Sequence, residues 1–576
     1  MLPFEQIWAV DFEFISEPGE RPIPVCVVAN EIKTGKVLKV WLKDENLEKP
    51  PYPVDDATLL IAYYGSAEWA CHLVLGWPLP KNTVDLFAEY RVLTNGLLGI
   101  RSGLINACSY FGILTTSDSF KEGMRARIMQ GPPYTEEEKS LIMDYCESDV
   151  IATAELFNKM QDIIDIPRAL YRGQYMECVA RMEHAGVPID VVILEKLKLH
   201  WERIKERLIE ETDKDFRVYE ETTFKISRFE EYLIKNEIPW PKTEKGNLKL
   251  DDNSFKDMSK AYPQLQALRD LRYILGQLKL NELPVGRDGR NRCLLSPFRT
   301  KTGRNAPSTS KFIFGPAVWL RSLIKPGPGK VLLYVDYSQQ EFYIAAVLSG
   351  DEAMIEAYET GDPYLAFAKQ AGAVPQDATK QTHRAERDAF KVCSLGVQYG
   401  MMSNSLACQL GKTPAHAKEL IQHHKRVYRR YWGWVEEVFN STLISRRITT
   451  CYGWSYQILG NDAKEERTIK NFPTQATGAE ILRVACILLA DKGFNVVAPI
   501  HDALLIECGE TDLKLVGAEV QKLMGDASEH VLGKGHRIRT DVEIIKYPDR
   551  YSDPRGKETW KQIIQIMHEI EVENTV

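Results

Sequence analysis

Two apolar runs, each about the length of a single strand, deliver an aspartate at the tip. "KVLLYVDY" ends on Asp336 and Tyr337, and "NVVAPIHDALLIECG" reaches His501 and Asp502 before a second apolar run resumes at once. Short continuous apolar runs read as strands buried on both faces, and the second segment reads as a tight hairpin with the acid at its turn. A charge at the end of a buried strand costs several kcal/mol unless something pairs with it. The two aspartates, far apart in sequence, are expected at strand ends of one sheet.

At 576 residues the chain is too long for one core, and roughly two to four domains are expected. Hydrophobic content of 44% and charged content of 27% are those of an ordinary globular protein. No apolar stretch is long enough to span a bilayer. The start, "MLPFEQIWAVDFEF", lacks the basic opening of a secretory signal, so the chain is expected to begin as written. Eleven cysteines, an odd number without a CxxC pair, point to reduced thiols in a cytoplasmic compartment and away from a zinc module. A net charge of −7 gives no global attraction to nucleic acid, so a polyanion would have to be met by local basic patches and by cations on acidic clusters.

The segment to about Ile164 mixes strand-like "IWAVDFEF" and "PVCVVAN" with helical "EEEKSLIMDYCESDVIATAELFNKM", an α/β pattern. "YRGQYMECVARMEHAGVPID" is helical and stops at Gly186 and Pro188. Residues 191–283 are charged and helical. The loop-like "RTKTGRNAPSTSK" then leads into an α+β section, with strands expected at "KVLLYVDY", "TTCYGWSYQI" and the "NVVAPIHDALLIECG" pair. Helices are expected from "RAERDAFKVCSLGVQYG" to "HAKELIQHHKRVYRRYWGWVEEVFN".

Strand-borne carboxylate pairs suit phosphoryl transfer by paired Mg²⁺ ions about 3.5–4 Å apart, although Asp336 and Asp502 also fit two unrelated turn acids. Between them, Arg387, Lys391, Leu395 and Tyr399 recur every four residues and share one helical face. Cations at one end and an apolar, aromatic end at the other match a triphosphate with a flat base.

Motif by motif, this C-terminal part resembles the polymerase domain of family A DNA polymerases. "DYSQQE" is similar to the first palm motif, "RDAFKVCSLGVQYG" to the fingers helix and "HDA" to the second palm motif. "TKTGRNAP" resembles the Thr-Gly-Arg ahead of the palm, and "RTIKNFPTQATGAEI" a primer-template segment. The resemblance implies Asp336 and Asp502 as catalytic metal ligands for two Mg²⁺, with Mn²⁺ an alternative. It implies Gln339, Glu341, Arg387, Lys391, Leu395, Tyr399 and His501 for the nucleotide, Glu341 crowding the sugar 2′ position. Arg304, Arg467, Asn471 and Gln475 are implied for DNA. Three positions depart from the family: Leu395 replaces an aromatic, Tyr343 an arginine, and Ala503 the glutamate after His-Asp.

Asp11 and Glu13 lie two apart on one strand and share a face, and Tyr145 and Asp149 lie four apart on one helical face. These resemble the 3′–5′ proofreading exonuclease domain of the same polymerases, which implies Asp11, Glu13 and Asp149 as metal ligands and Tyr145 as the orienter of water. The middle acid of that family is an aspartate, and counting back from Gly76 and Asp85 puts Glu68 in its place. "CVARMEHAGVPID" resembles the entry to the thumb, and "KTEKGNLKLDD" its duplex-gripping tip, with Lys245, Lys242 and Lys249 as phosphate contacts. "HHKRVYRRYW" interleaves Lys425, Arg426, Arg429 and Arg430 with aromatics and is either a template surface or a solvated helix.

The expected fold is a multidomain α/β and α+β chain: an RNase H-like exonuclease domain over 1–165, thumb and connecting helices over 166–300, and palm and fingers over 301–576, with fingers near 352–450. No 5′ nuclease domain is expected. The expected activity is DNA-directed DNA polymerisation with proofreading, in a phage or mobile element. Implied partners are primer-template DNA and dNTPs, with replisome accessory proteins open, no membrane, and action as a monomer. The alternatives are a single-subunit RNA polymerase, against which Glu341 as a sugar gate speaks, and a degenerate protein that only binds primer ends.

Overall fold

The computed structural model describes residues 2–44, 47–115, 118–276, 280–315, 317–460 and 463–574. Five strands, Gln6–Ile15, Ile23–Glu31, Lys36–Trp41, Thr58–Ala62 and Thr83–Asp85, make an N-terminal mixed sheet. Its spatial order is third, second, first, fourth, fifth; the first three are antiparallel, and the fourth and fifth run parallel to the first. The strand period of two divides the first strand between two cores. Trp8, Val10 and Phe12 pack with Trp69 and Trp77, whereas Ala9 packs with Tyr145 and Cys146. Asp11 and Glu13, two and four residues beyond Ala9, therefore face the helix Glu136–Met160. That helix begins where Thr135 and Glu138 form a reciprocal capping box.

The helix Ile166–Ala185 starts at the Asp165 cap and ends at Gly186, whose φ of 67° lies in the left-handed half of conformational space. It packs on the helix Ser66–Leu75 and strand Thr83–Asp85 of the N-terminal unit, and on the helix Ala463–Asp491 and strand Asn495–Ile500 of the C-terminal unit. We call it the junction helix. Four helices follow, Val191–Phe216, Ile226–Lys235, Asp252–Ala261 and Gln266–Gly276. The C-terminal helix Lys557–Glu573 shares their apolar core by packing on the first of them, so the end of the chain returns to the helices expected as the thumb.

The sheet in the region expected as the palm is four-stranded and antiparallel, in the order Asn495–Ile500, Ala503–Gly509, Lys330–Tyr337, Thr540–Lys546. Val331, Leu332, Leu333 and Val335 are fully buried, as the unbroken apolar run requires of a strand covered on both faces. The helix Arg384–Gln398 and its neighbours Ser403–Leu410, Pro414–Val427 and Arg429–Ser445 form the helical unit expected as the fingers.

Two expected elements differ. The helical stretch "HAKELIQHHKRVYRRYWGWVEEVFN" is divided at Tyr428, with φ −105° and ψ 54°. The Tyr428 ring is fully buried against Phe367 and His424, 5.2 and 4.9 Å between centroids, so packing overrides helical propensity. The single strand expected at "TTCYGWSYQI" is a hairpin of Arg447–Thr449 and Ser455–Gln457, which turns through Gly453 at φ 82°.

Candidate active sites

The two strand-tip aspartates meet. Asp336 lies in register with Ala503 on the adjacent strand, and Tyr337 N donates to Asp502 O at 3.4 Å, which tucks the hairpin turn against the strand end. Gln339 (φ 51°, ψ 43°) and His501 (φ 57°) flank the pair in left-handed conformations, each a strain of about 1–3 kcal/mol for a residue with a side chain. Burial, reinforced by Asp502 and Asp541, pushes the Asp336 carboxyl up to about 7. Burial likewise raises Asp502. Asp336 Oδ1, Gln339 Oε1 and Gln340 Nε2 are buried with no hydrogen-bond partner. Crowded acids with an orphaned oxygen are the donor set a divalent cation would satisfy, so Asp336 and Asp502 fit metal.

Glu341 follows in the first turn of the helix Gln340–Ser349. Its Oε1 accepts from Arg304 NH2 at 2.7 Å, and its Oε2 accepts from the Tyr399 hydroxyl. Three predicted residues from three separate segments thus form one contact chain. Gln475 also reaches the Tyr399 hydroxyl, and Arg467 lies beside Gly400. Asn471 is half-buried on the same long helix, whose Gly478 allows contact with Gln340: a Cβ there would stand 2.6 Å from Gln340 Oε1. Arg304 and His501 share a cavity of about 360 Å³ with Tyr175 and Arg483.

Lys391, Leu395 and Tyr399 are exposed along one side of the fingers helix. Arg387 is held differently. Its Nε donates to Asp362 Oδ2 at 2.8 Å, and its guanidinium lies 5.3 Å from the Tyr364 ring centroid, so it is tied into the fingers. Lys245 is exposed on the turn Thr243–Asn247, on a different part of the fold from the palm edge. Of the basic-aromatic run, Lys425 Nζ lies 4.6 Å from the Trp432 ring centroid and Arg430 donates to Ser349 O at 3.1 Å.

In the N-terminal unit, Asp11, Glu13 and Cys146 bring ligand atoms within 4.8 Å of one another. The Cys146 thiol donates to Asp11 Oδ2 at 3.4 Å. Burial and then Asp149 push the Asp11 carboxyl up to about 8. Burial and Asp11 also raise Glu13 and Glu68. Glu68 Oε2 accepts from Phe12 N at 2.7 Å, between Asp11 and Glu13 on the strand. The Tyr145 hydroxyl accepts from Arg125 Nε at 3.2 Å. Asp149, expected as a metal ligand, is ion-paired through Oδ1 to buried Lys121.

Sequence reasoning missed Lys121, Arg125 and Cys146 here, and Asp541 at the palm. Asp541 lies in register with Asp336 on the strand Thr540–Lys546, and its carboxylate accepts from the Ser338 hydroxyl at 2.5 Å. "KEGMR" does place Lys121 and Arg125 one helical turn apart, but that spacing also describes a solvated face.

The profile of DNA polymerase family A matches residues 195–544, more than half of the chain. DNA polymerase I of Aquifex aeolicus is 25% identical over 452 residues, 70% of this chain and 74% of that protein. The DNA polymerase of Mycobacterium phage D29 is 24% identical over 432 residues, 70% of this chain and 67% of that protein. The thermostable DNA polymerase I of Thermus thermophilus is 26% identical over 376 residues, 61% of this chain and 44% of that protein. Among solved structures, the POL domain of Pol1 from M. smegmatis, in complex with DNA primer-template and dNTP, superposes with a TM-score of 0.70 at 18% identity. That match covers 93% of this chain and 94% of the other. The multidomain α/β and α+β architecture is that of this fold, and the chain belongs to DNA polymerase family A.

Proposed function

We propose that the chain extends a primer 3′ end on a DNA template, using dNTPs, and removes mismatched ends in a second site. One observation carries the reading: Asp336 and Asp502 meet at one end of the two central strands of a sheet, Asp336 Oδ1 buried without a partner, beside the Arg304–Glu341–Tyr399 chain. Asp336 and Asp502 would hold Mg²⁺, which supplies charge neutralisation at the transferring phosphate and a more acidic attacking hydroxyl. Glu341, fixed on both sides, presents a carboxylate where the nucleotide sugar would lie and excludes a 2′-hydroxyl. Lys391 offers an ammonium for the triphosphate, and Leu395 and Tyr399 offer surface for the base and sugar. Arg304 and His501 wall the cavity on the primer side, while Arg467, Asn471, Gln475 and the exposed Lys245 suit the duplex. In the N-terminal site, Asp11 and Glu13 would hold divalent metal, Glu68 shapes the strand between them, and Tyr145 orients water. Primer-template and dNTPs are the proposed partners, with the protein acting as a monomer in phage or mobile-element replication in the cytoplasm of the host cell.

The test is primer extension and single-strand degradation by the full chain with Mg²⁺. Asp336→Ala or Asp502→Ala should abolish extension and leave 3′ degradation, and Asp11→Ala should do the reverse. Retained extension in either palm variant refutes the palm assignment. Continued shortening of a mismatched primer by Asp11→Ala moves the exonuclease elsewhere.

A further inference from the structure

The N-terminal site already contains a cation. Lys121 is 4% exposed, on the helix Asp118–Gln130, and its ammonium is ion-paired to Asp149, with side-chain exposures of 5% and 8%. The lysine is anchored. Met124 and Ile128 of the same helix lie in the core beneath the sheet, with Ala9, Tyr145 and Cys146. One turn after Lys121, Arg125 donates to the Tyr145 hydroxyl. The helix therefore presents one cation to each functional residue of the helix Glu136–Met160.

Two divalent ions need shared carboxylates, free of competing charge, on both sides of the scissile phosphate. Here the Asp149 side is taken by a buried ammonium, and the cluster left for metal is Asp11, Glu13 and Cys146. Expelling Lys121 would strand a buried, unpaired charge. An ammonium can do part of what the second ion does, since it is a compact point charge with three donors.

We propose that Lys121 takes the place of one of the two divalent ions, so that this centre binds a single metal at Asp11 and Glu13 and meets the scissile phosphate on the Asp149 side with a lysine. The proposal rests on the exonuclease reading above. In the reaction, the water oxygen bonds to phosphorus and the bond from phosphorus to the 3′ oxygen breaks. The water proton passes to solvent, and the 3′ oxygen recovers one from solvent. Lys121 keeps its protons throughout and donates hydrogen bonds to a non-bridging phosphate oxygen.

The experiment counts Mn²⁺ bound to the full-length protein by electron paramagnetic resonance, alongside degradation of single-stranded DNA. Asp11→Ala should bind one ion fewer than the parent, and Lys121→Met should bind one more. Degradation by Lys121→Met should fall about a hundredfold where Mn²⁺ is too dilute to fill the added site, the usual cost of removing one electrostatic stabiliser, and recover partly in Lys121→Arg and as Mn²⁺ fills that site. Loss of two ions in Asp11→Ala, or no gain in Lys121→Met, overturns the proposal and makes Lys121 a counter-ion that metal displaces. The parent and Asp11→Ala decide the count even where Lys121→Met does not fold. Absence of degradation by the parent, or degradation indifferent to Asp11→Ala, overturns the exonuclease reading itself. Degradation that needs Asp11 together with a two-ion count leaves that reading standing without the lysine.

Discussion

A carboxylate that ends a buried strand keeps its charge only with help, and at the palm edge the help has to be a cation. Asp336 is ordinarily a group of pKa 3.8, raised here to about 7 by burial and by Asp502. Raised in the folded state, it contributes stability that is fully present below its ordinary value and lost as pH climbs through its folded value. In EDTA the melting temperature should therefore fall with rising pH across that window. Mg²⁺ should cancel the fall by replacing the proton, and Asp336→Asn should make it shallower. Scanning fluorimetry against pH, with and without Mg²⁺, checks all three; an unchanged slope in Asp336→Asn would place the titration on other acids. Glu341 gives a second expectation at this scale. Its two oxygens are occupied by Arg304 and Tyr399, so its position is fixed rather than adaptable. Glu341→Ala should weaken discrimination against ribonucleotides by roughly 10–200-fold, the range for one small steric difference in a pocket, read as the ratio of kcat/KM for a dNTP and its rNTP.

At the scale of elements, the junction helix shows how a small residue sets a contact. Gly173 lies where the helix crosses the strand Thr83–Asp85, and a Cβ there would stand 1.9 Å from Thr83 O. Backbone cannot give way as a flexible side chain can. Gly173→Ala should destabilise the protein by about 1–3 kcal/mol, the cost of overpacking, seen as a lower urea midpoint. Glycine is otherwise the poorer helix former, so a stabilised variant would mean that the helix stands off the strand. The fingers make the complementary point. Their long basic helix breaks at Tyr428 because the ring is worth more in the core than one more turn of helix is worth to the chain.

Across the whole molecule, the N-terminal unit is tied to the polymerase unit by a buried ion pair. Arg172 of the junction helix donates to Glu89 at 2.5 and 2.7 Å and to Tyr452 O at 3.1 Å, with side-chain exposures of 4% and 1% for Arg172 and Glu89. Removing one partner leaves a buried charge alone, so Arg172→Met should cost about 3–5 kcal/mol. Pairing it with Glu89→Leu should return much of that loss, because neither charge then remains. Equilibrium unfolding of the two variants decides it, and a double variant as weak as the single would mean that packing rather than charge carries the joint.

Local pattern alone determined the strands that carry Asp11 and Asp336, the hairpin that carries Asp502 at its turn, the helix from Glu136 and the stop at Gly186, because burial periodicity and capping chemistry are written in neighbouring residues. Four-residue spacing along one helix also singled out Tyr399, whereas Glu341 stood out only through the resemblance of "DYSQQE" to the family's palm motif. Only the tertiary structure decided that Arg304, Glu341 and Tyr399 touch, that Arg387 is tied to Asp362, that Tyr428 interrupts a helix and that the C-terminal helix returns to the helices expected as the thumb. Lys121 and Asp541 belong to that second group for the same reason. A lysine on an amphipathic helix and an aspartate on an edge strand look solvent-facing from sequence, since what lies opposite them is contributed by distant segments, and a charge takes its meaning from what lies opposite.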